Sequence, residues 1–247
     1  MSKRRKISVV IPARFQSSRL PGKPLINIKG IPMLVRTWMQ CAKVIDPNKI
    51  FVATDNIEIE DMCKQHDINV IMSSGDCLTG TDRVSEVAKK IDSDIYINVQ
   101  GDEPVLNPHD LEKIIDAALK EPNSIFCGYC QISSNEQYKD FNIPKVVVSE
   151  QNKLLYMSRS PIPGNKNGSF IKSWRQVCIY AFPKKALEAF VSCKTKTNLE
   201  KIEDIELLRF LELGWEVQMI EVSDLSIAVD IPEDILKVEK AIVERNL

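Results

Sequence analysis

Histidine and aromatic residues are scarce in this chain of 247 residues. It has two histidines, His66 and His109, and aromatic residues make up 6% of the sequence. The two histidines stand far apart and lack the spacing of metal ligands. This argues against a histidine-rich metal site and against a nucleophilic triad.

Long apolar runs and an excess of one charge are also missing. No run approaches the length needed to cross a membrane. We expect no signal peptide, because only residues 7–13 separate the basic start from Arg14. The 33 Lys and Arg nearly balance the 34 Asp and Glu, which leaves a net charge of −1. The sequence therefore predicts no binding to nucleic acid and no membrane insertion, and confines any anion selectivity to a local site.

The cysteine pattern does not fit a disulfide framework. Seven cysteines, an odd number, are spread along the chain. This favours reduced thiols and a cytoplasmic location. Cys127 and Cys130 form a CxxC pair, but a strand-like segment follows and no second pair exists. We interpret them as core thiols rather than as a redox or zinc site.

Short apolar strands alternate with helical patterns in the first half of the chain. The strand candidates are residues 7–13, 49–54, 69–73 and 94–100. Strands rich in Val and Ile throughout indicate a parallel sheet that is covered on both faces. The predicted fold class is α/β, a Rossmann-like and mainly parallel sheet flanked by helices, with a smaller strand-rich subdomain.

The predicted organisation has three parts. Residues 1–123 form a nucleotide-binding α/β core. Residues 124–182 read mostly as strands without intervening helices, which favours an antiparallel insertion. Residues 183–247 complete the core with helices and a strand. Within this last part, residues 199–213 have the pattern of one amphipathic helix, and Pro232 begins the final helix.

The stretch VVIPARFQSSRLPGKPL begins as a buried strand and turns polar, with Arg14, Arg19 and Lys23 within ten residues. A loop after the first strand of an open α/β sheet lies where such sheets bind ligands. Each cation about 4 Å from a phosphate charge contributes on the order of 1 kcal/mol in water and roughly 4 at an effective dielectric of 20. The loop matches neither known glycine-rich phosphate motif, so a solvated basic loop stays an alternative.

Two acidic segments are candidates for binding a metal. NVQGDEP (98–104) places Asp102 and Glu103 at the end of the fourth strand, on the same edge as the basic loop. Mg²⁺ is bound by one or two carboxylates together with phosphate oxygens, which makes Asp102 a predicted ligand. Asp230 in IAVDIPED is a second candidate. A capping role before the last helix explains Asp230 better when that segment is taken alone.

TGTDRVSE (79–86) has the small and polar residues of a helix start. The backbone at Gly80 and Thr81 could approach an anion, and Arg83 could reach a base or a phosphate. An ordinary helix N-terminus followed by a surface charge explains this segment almost as well.

Together, these segments resemble the 3-deoxy-manno-octulosonate (Kdo) cytidylyltransferases, also called CMP-Kdo synthetases. The matching segments, in order, are IPARFQSSRLPGKPL, FVATD, TGTDR, NVQGDEP, SRSPIP, IYAF and VDIPEDI. The resemblance covers almost the whole chain, and the first and fourth segments are the most specific. It implies an α/β fold with a dimerising subdomain, a requirement for CTP and Mg²⁺, and transfer of CMP to the anomeric hydroxyl of a 2-keto sugar acid.

The resemblance also implies the residues of the site. For CTP they are Ala13, Arg14, Ser17, Arg19, Lys23, Thr81, Arg83 and Gln100, with Arg14, Arg19, Lys23 and Asp102 as the catalytic group. Asp102 and Asp230 are the implied Mg²⁺ ligands. For the anionic sugar acid they are Arg159, Gln176, Tyr180, Glu206, Leu207 and Arg209. The resemblance further implies a homodimer formed through residues 124–182, which also carry the acceptor site, and a role in lipopolysaccharide or capsule assembly.

Two positions depart from the family pattern. Where the family has R-H-L-G-[IV]-Y, this chain has RQVCIY, so Gln176 replaces a histidine. Where the family has E-Q-L-R, this chain has ELLR, so Leu207 replaces a glutamine. Lost polar contacts to a hydroxyl-rich acceptor would discriminate strongly between substrates.

We therefore predict unchanged CTP chemistry with Kdo, a Kdo-like acid or another anionic acceptor. The alternative is that Gln176 and Leu207 are tolerated substitutions in an enzyme that uses Kdo itself. A sugar-1-phosphate nucleotidyltransferase and a non-catalytic nucleotide-binding protein are less favoured.

Overall fold

Apolar strands assemble one large mixed sheet in the computed structural model, which describes residues 5–16 and 20–247. Along its main path the strands follow the order β11-β7-β10-β6-β1-β4-β5. The strands are β1 (Ile7–Pro12), β2 (Asn27–Ile28), β3 (Ile31–Pro32), β4 (Ile50–Thr54), β5 (Val70–Met72), β6 (Ile95–Val99), β7 (Ile125–Gln131), β8 (Lys145–Val148), β9 (Leu154–Ser158), β10 (Trp174–Pro183) and β11 (Val217–Glu221). β2 and β3 form a separate two-stranded ribbon.

Helices cover both faces of this sheet. They are α1 (Met33–Ala42), α2 (Ile57–Gln65), α3 (Gly80–Lys90), α4 (Pro108–Lys120), α5 (Asn135–Lys139), α6 (Lys184–Ser192), α7 (Asn198–Glu203), α8 (Leu207–Glu212) and α9 (Pro232–Arg245). The side chains of β1 alternate between the two faces, so Val9 and Ile11 join one buried cluster and Val10 joins the other. Each such fully buried side chain contributes about 1.5–3 kcal/mol.

The predicted α/β class is confirmed. β1 pairs in parallel with both β4 and β6, and β4 pairs in parallel with β5. No helix of the described residues is long and apolar enough to cross a membrane.

The strands of residues 124–182 join the main sheet instead of forming one of their own. β10 lies between β6 and β7 and is antiparallel to both, while the β8–β9 hairpin pairs with the first residues of β10. With ten residues, β10 is long enough to serve both partners. The short helix α5 lies within this part of the chain. The domain boundaries at 123 and 182 stay predictions.

The single helix predicted for residues 199–213 is wrong, because the segment is two short helices. Asp204, between them, has a left-handed backbone with φ of 51°. The guanidinium of Arg159 donates to the carbonyl oxygens of Glu203 (2.6 Å) and Asp204 (3.1 Å). A continuous helix would need these carbonyls for its own amides. Since a side chain binds them instead, the helix ends here.

Candidate active site

A cavity of about 400 Å³ lies where several elements end on one edge of the sheet. β1 and β6 are parallel neighbours, so the residues that follow them come together. Ala13 and Arg14 line the cavity after β1, and Gln100 and Asp102 line it after β6. The position therefore agrees with a ligand site at the carboxyl ends of the strands.

Lys23 lies between the two predicted metal ligands. Its ammonium donates to Asp102 Oδ2 at 2.6 Å, to Asp230 Oδ1 at 3.4 Å and to the carbonyl of Val229 at 2.8 Å. Gly22, with φ of 66°, makes the turn that precedes Lys23. Burial by itself lowers the pKa of Lys23, but the charges and hydrogen bonds of the two aspartates outweigh it, so the pKa is raised. Lys23 is thus protonated at neutral pH.

The two carboxylates fit a divalent cation bound together with phosphate. Asp102 and Asp230 converge on a single cationic group from different parts of the chain. A cluster of three or more His, Cys, Asp or Glu suitable for a metal does not occur in residues 5–16 and 20–247. Two protein carboxylates are nevertheless sufficient for Mg²⁺ when phosphates and waters supply the remaining ligands.

The capping alternative for Asp230 is wrong, because Asp234 caps the last helix. The Asp234 carboxylate accepts hydrogen bonds from the backbone N–H groups of Asp230 and Ile231, at 3.0 and 3.2 Å. Asp230 instead lines the cavity.

The start of α3 forms another wall of the cavity. Thr79 caps the helix in a reciprocal pair with Asp82, and Thr79 and Gly80 line the cavity. Thr81 is fully buried and its backbone N–H donates to Glu206 Oε2 at 3.0 Å. The predicted contact between Thr81 and the nucleotide is therefore corrected, because Thr81 is not among the lining residues.

Arg83 is a buried residue of the cavity wall rather than a surface charge. Its guanidinium donates to Asp55 Oδ2 at 2.8 Å and to Ser73 Oγ at 2.6 Å, and only 4% of the residue is exposed. These contacts hold the guanidinium at the cavity next to Gly80.

Four of the six predicted acceptor residues, Arg159, Gln176, Tyr180 and Glu206, line the same cavity as the nucleotide segments. Gln176 Nε2 donates to the Tyr180 hydroxyl at 2.8 Å. The strand β10 has an irregular register between Val177 and Tyr180. Burial raises the pKa of the Tyr180 phenol well above its ordinary value, so the phenol remains a neutral hydrogen-bonding group.

Glu206 also lines the cavity, but its carboxylate faces two nucleotide segments. Besides Thr81 N–H, it accepts from Gln100 Nε2 at 3.3 Å. Burial raises the pKa of Glu206, and the hydrogen bond from the Thr81 backbone opposes this shift.

Leu207 and Arg209 do not line the cavity, so the substrate contact predicted for them is corrected. Both are fully buried. Arg209 forms two hydrogen bonds of 2.6 Å with the carboxylate of Glu200, which is itself fully buried, and its guanidinium stacks 3.7 Å from the Phe190 ring centre. Successive residues of a helix point about 100° apart. Leu207 is thereby turned away from Glu206, whereas Arg209, three residues on, lies on the same side of the helix and is directed into the core by its ion pair with Glu200.

Other lining residues had no signal in the sequence. Among them are Asn142, Cys178, Lys196 and Asp204. The Lys196 ammonium lies 2.5 Å from Asp204 Oδ1, and this ion pair lowers the pKa of Asp204. Ser17 and Arg19 lie outside the described residues.

The CxxC pair consists of core thiols, as predicted. All seven cysteines are free, and Cys127 and Cys130 are buried. Burial raises the pKa of Cys130 to about 11 and the pKa of Cys127 further, which keeps both thiols protonated and unreactive.

Comparison with known proteins identifies the class to which this fold and site belong. Residues 8–222 match a family model described as Cytidylyltransferase. The chain is therefore a CTP-dependent nucleotidyltransferase, which confirms the predicted enzyme class.

More specific relatives cover nearly the whole chain. The curated 3-deoxy-manno-octulosonate cytidylyltransferase of Syntrophotalea carbinolica is 36% identical over 244 residues, 94% of this chain and 97% of that protein. The Escherichia coli protein of the same name is 35% identical over 242 residues, 98% of each chain. A solved structure of CMP:2-keto-3-deoxy-manno-octonic acid synthetase complexed with CTP matches with a TM-score of 0.89 and 35% identity, over 98% of this chain and 100% of that one. The chain belongs to the 3-deoxy-manno-octulosonate cytidylyltransferase family, as the sequence motifs predicted.

Proposed function

We propose that this protein transfers CMP from CTP to the anomeric hydroxyl of Kdo, or of a closely related 2-keto-3-deoxy sugar acid, and releases pyrophosphate. One observation carries the proposal. A single cavity is lined by the cation and carboxylates of Lys23, Asp102 and Asp230 and by Arg159 and Gln176. The same cavity therefore offers groups that can bind an anionic nucleotide and groups that can bind an anionic acceptor, so that the two ligands can lie next to each other.

The nucleotide end supplies charge where the reaction needs it. As the acceptor oxygen attacks the α-phosphorus, negative charge grows on the departing pyrophosphate. Arg14 and protonated Lys23 line the cavity and can stabilise this charge. We propose that Arg19 and Ser17 assist, on the sequence motif alone. No covalent intermediate with the protein is needed.

Asp102 and Asp230 would hold Mg²⁺ in this site. When bound, Mg²⁺ neutralises phosphate charge and orients the triphosphate. The two carboxylates form the donor set, and Lys23 pairs with the phosphates instead of with these aspartates once the nucleotide is present.

The acceptor end is built around Arg159. Three backbone carbonyls, those of Phe141, Glu203 and Asp204, accept from its guanidinium. They use three of its five N–H groups and fix its orientation without adding negative charge. We propose that the guanidinium binds the acid group or a hydroxyl of the acceptor, and that Gln176 and Tyr180 contact other hydroxyls.

The experiment that tests this function is pyrophosphate release by the purified protein with CTP, Mg²⁺ and Kdo. A panel of other 2-keto sugar acids should be assayed beside Kdo, with sugar 1-phosphates plus UTP or dTTP as the control for the rival reaction. Turnover of Kdo, or of one related acid, with CTP supports the proposal. Turnover only with a sugar 1-phosphate, or none with any acid, would refute it.

We further propose that the protein is a cytoplasmic homodimer that supplies lipopolysaccharide or capsule assembly. Among the described strands, β9 pairs along its length only with β8, and Leu155 on it is 60% exposed. An unpaired apolar strand edge favours a covering partner. Light scattering should give twice the monomer mass, and Leu155→Asp should reduce the mass to that of one chain.

A further inference from the structure

Glu206 is held between two segments of the nucleotide half of the site. Its Oε2 accepts from the backbone N–H of Thr81 at 3.0 Å, and its Oε1 accepts from the side-chain amide of Gln100 at 3.3 Å. Glu206 lies between α7 and α8, 125 residues after Thr81 and 106 residues after Gln100 in the sequence. Both of its oxygens are therefore engaged by groups of this protein.

A carboxylate in this position decides which way the Gln100 amide points. A side-chain amide has a donating NH₂ end and an accepting oxygen end, which are nearly equal in shape. An ionised carboxylate can only accept, so it favours the NH₂ end. Burial raises the pKa of Glu206, and the hydrogen bond from the Thr81 backbone opposes this shift. In its ionised form Glu206 presents only acceptors to Gln100, and this form excludes the flipped amide.

The space around Gln100 restricts it further. The amide lies directly against Gly80, where a Cβ would be 2.9 Å from Gln100 Nε2 and 3.2 Å from the Pro12 ring. The absence of a side chain at Gly80 is what lets the amide lie there. Among the described residues, the Gln100 oxygen has no hydrogen-bond partner, and Gln100 lines the cavity.

We propose that Glu206 is a positioning residue, which fixes the Gln100 amide so that the Gln100 oxygen accepts a hydrogen bond from a bound substrate. The ligand group is an N–H or O–H donor. It comes either from the 4-amino group of cytosine or from a hydroxyl of the acceptor. This inference rests on the proposed function, and it gives Glu206 a role other than contact with the acceptor.

The two possible sources of the donor can be distinguished by the nucleotide preference and by the KM for the acceptor. Uracil has a carbonyl oxygen where cytosine has its amino group, so a fixed acceptor favours CTP over UTP. If the amide can flip, its NH₂ group meets that carbonyl and the preference weakens. If the donor is an acceptor hydroxyl, the nucleotide preference stays constant and the KM for the acceptor changes.

The test uses Glu206→Gln in the full-length protein. This variant has the same shape but can present either a donor or an acceptor to Gln100. Glu212→Gln is the matched control, because Glu212 accepts from the backbone of Leu199 and Glu200 and does not line the cavity. Thermal unfolding checks that both variants fold. The readouts are the ratio of kcat/KM for CTP over UTP and the KM for Kdo.

We expect Glu206→Gln to lower the CTP-over-UTP ratio about tenfold, or to raise the KM for Kdo about tenfold with the ratio unchanged, the size of one lost hydrogen bond. We expect Glu212→Gln to change neither. The effect of Glu206→Gln should also disappear in a Gln100→Ala background, because the amide it positions is then gone. An unchanged ratio and KM, or an equal effect with and without Gln100, would overturn the proposal.

Failure of the proposed function is recognised separately. If the wild-type protein turns over no sugar acid, calorimetric binding of CTP and of UTP replaces the kinetic ratio. A CTP preference that Glu206→Gln does not reduce then overturns the cytosine arm, and the absence of turnover refutes the proposed function.

Discussion

Arg209→Met should destabilise the protein strongly and leave recognition of the acceptor intact. Arg209 and Glu200 are both fully buried and share two hydrogen bonds of 2.6 Å. Removing one partner of a buried ion pair costs about 3–5 kcal/mol, because the other charge stays buried without compensation. For a chain of this size, about 1 kcal/mol corresponds to roughly 2–4 °C in Tm. The melting temperature should therefore fall by roughly 6–20 °C.

The double variant Arg209→Met with Glu200→Met distinguishes two contributions to the loss of stability. One is the cost of leaving a buried charge without a partner, and the other is the cost of the lost contacts. Apolar residues in place of both partners of a buried pair are often neutral or stabilising. Glu200 also accepts from the backbone N–H of Thr197 in a helix cap, and loss of this cap costs about 1 kcal/mol. Arg209 also donates to the Phe190 carbonyl at 3.3 Å and to Asp82 Oδ1 at 3.4 Å. The double variant should therefore recover the cost of the unpaired buried charge, but not the cost of the cap or of these two contacts.

Urea unfolding and thermal melting measure the stabilities of these variants, and KM values are measured well below the lowered melting temperature. A structural Arg209 predicts a large loss of stability with the KM for Kdo within about twofold of wild type, since a change that small is below 0.5 kcal/mol. An unchanged melting temperature combined with a raised KM for Kdo would refute the reasoning. That result would mean that Arg209 reaches the acceptor directly.

Three further predictions concern the cavity. Asp102→Asn should keep the fold but lower kcat about a hundredfold or more at saturating Mg²⁺, because it removes a proposed metal ligand and the 2.6 Å partner of Lys23; pyrophosphate release near the wild-type rate would contradict the metal assignment. Gln176→His, which installs the family's residue in the cavity, should lower the KM for Kdo several-fold and leave the KM for CTP constant; if both constants stay the same, Gln176 has no part in acceptor binding. Lys196→Met should raise the KM for the acceptor about two- to fivefold, the range of a partly exposed ion pair; steady-state kinetics would contradict this prediction if only the KM for CTP responded.

The parallel part of the fold was predictable because the residue types that favour a strand locally are also those that a sheet covered on both faces requires. The Val- and Ile-rich runs that become β1, β4 and β6 are buried on both faces, and such strands are short and continuous in sequence. The placement of β10 between β6 and β7 was not predictable. It depends on antiparallel pairing between residues 43 to 88 positions apart, for which an apolar strand gives no local signal.

The break in residues 199–213 shows how a tertiary contact overrides a helical pattern. The apolar periodicity runs through the segment, but the guanidinium of Arg159 binds two carbonyls in its middle. Arg159 is about 45 positions away in sequence, so the periodicity of the segment itself carries no trace of this competition.

The site was predictable where a motif places chemistry directly after a strand. Lys23 and Asp102 follow β1 and β6, and the parallel order of these strands brings them within 2.6 Å. Lys196 and Asp204 lie in connecting segments between helices. Their position at the cavity results from how those helices pack, which no spacing in the sequence expresses.

The two departures from the family pattern now have unequal weight. Gln176 lines the cavity, where its amide NH₂ group donates to the Tyr180 hydroxyl. Leu207 is fully buried in the core and packs with apolar neighbours, where a leucine is the favourable residue. The question of acceptor identity therefore reduces to one position in the wall of the cavity. A glutamine there still offers both a donor and an acceptor, which a hydroxyl-rich acid can use, but it cannot carry the positive charge of a protonated histidine. Any change in acceptor specificity caused by these two departures should therefore depend on the charge of the acceptor near Gln176 rather than on its size.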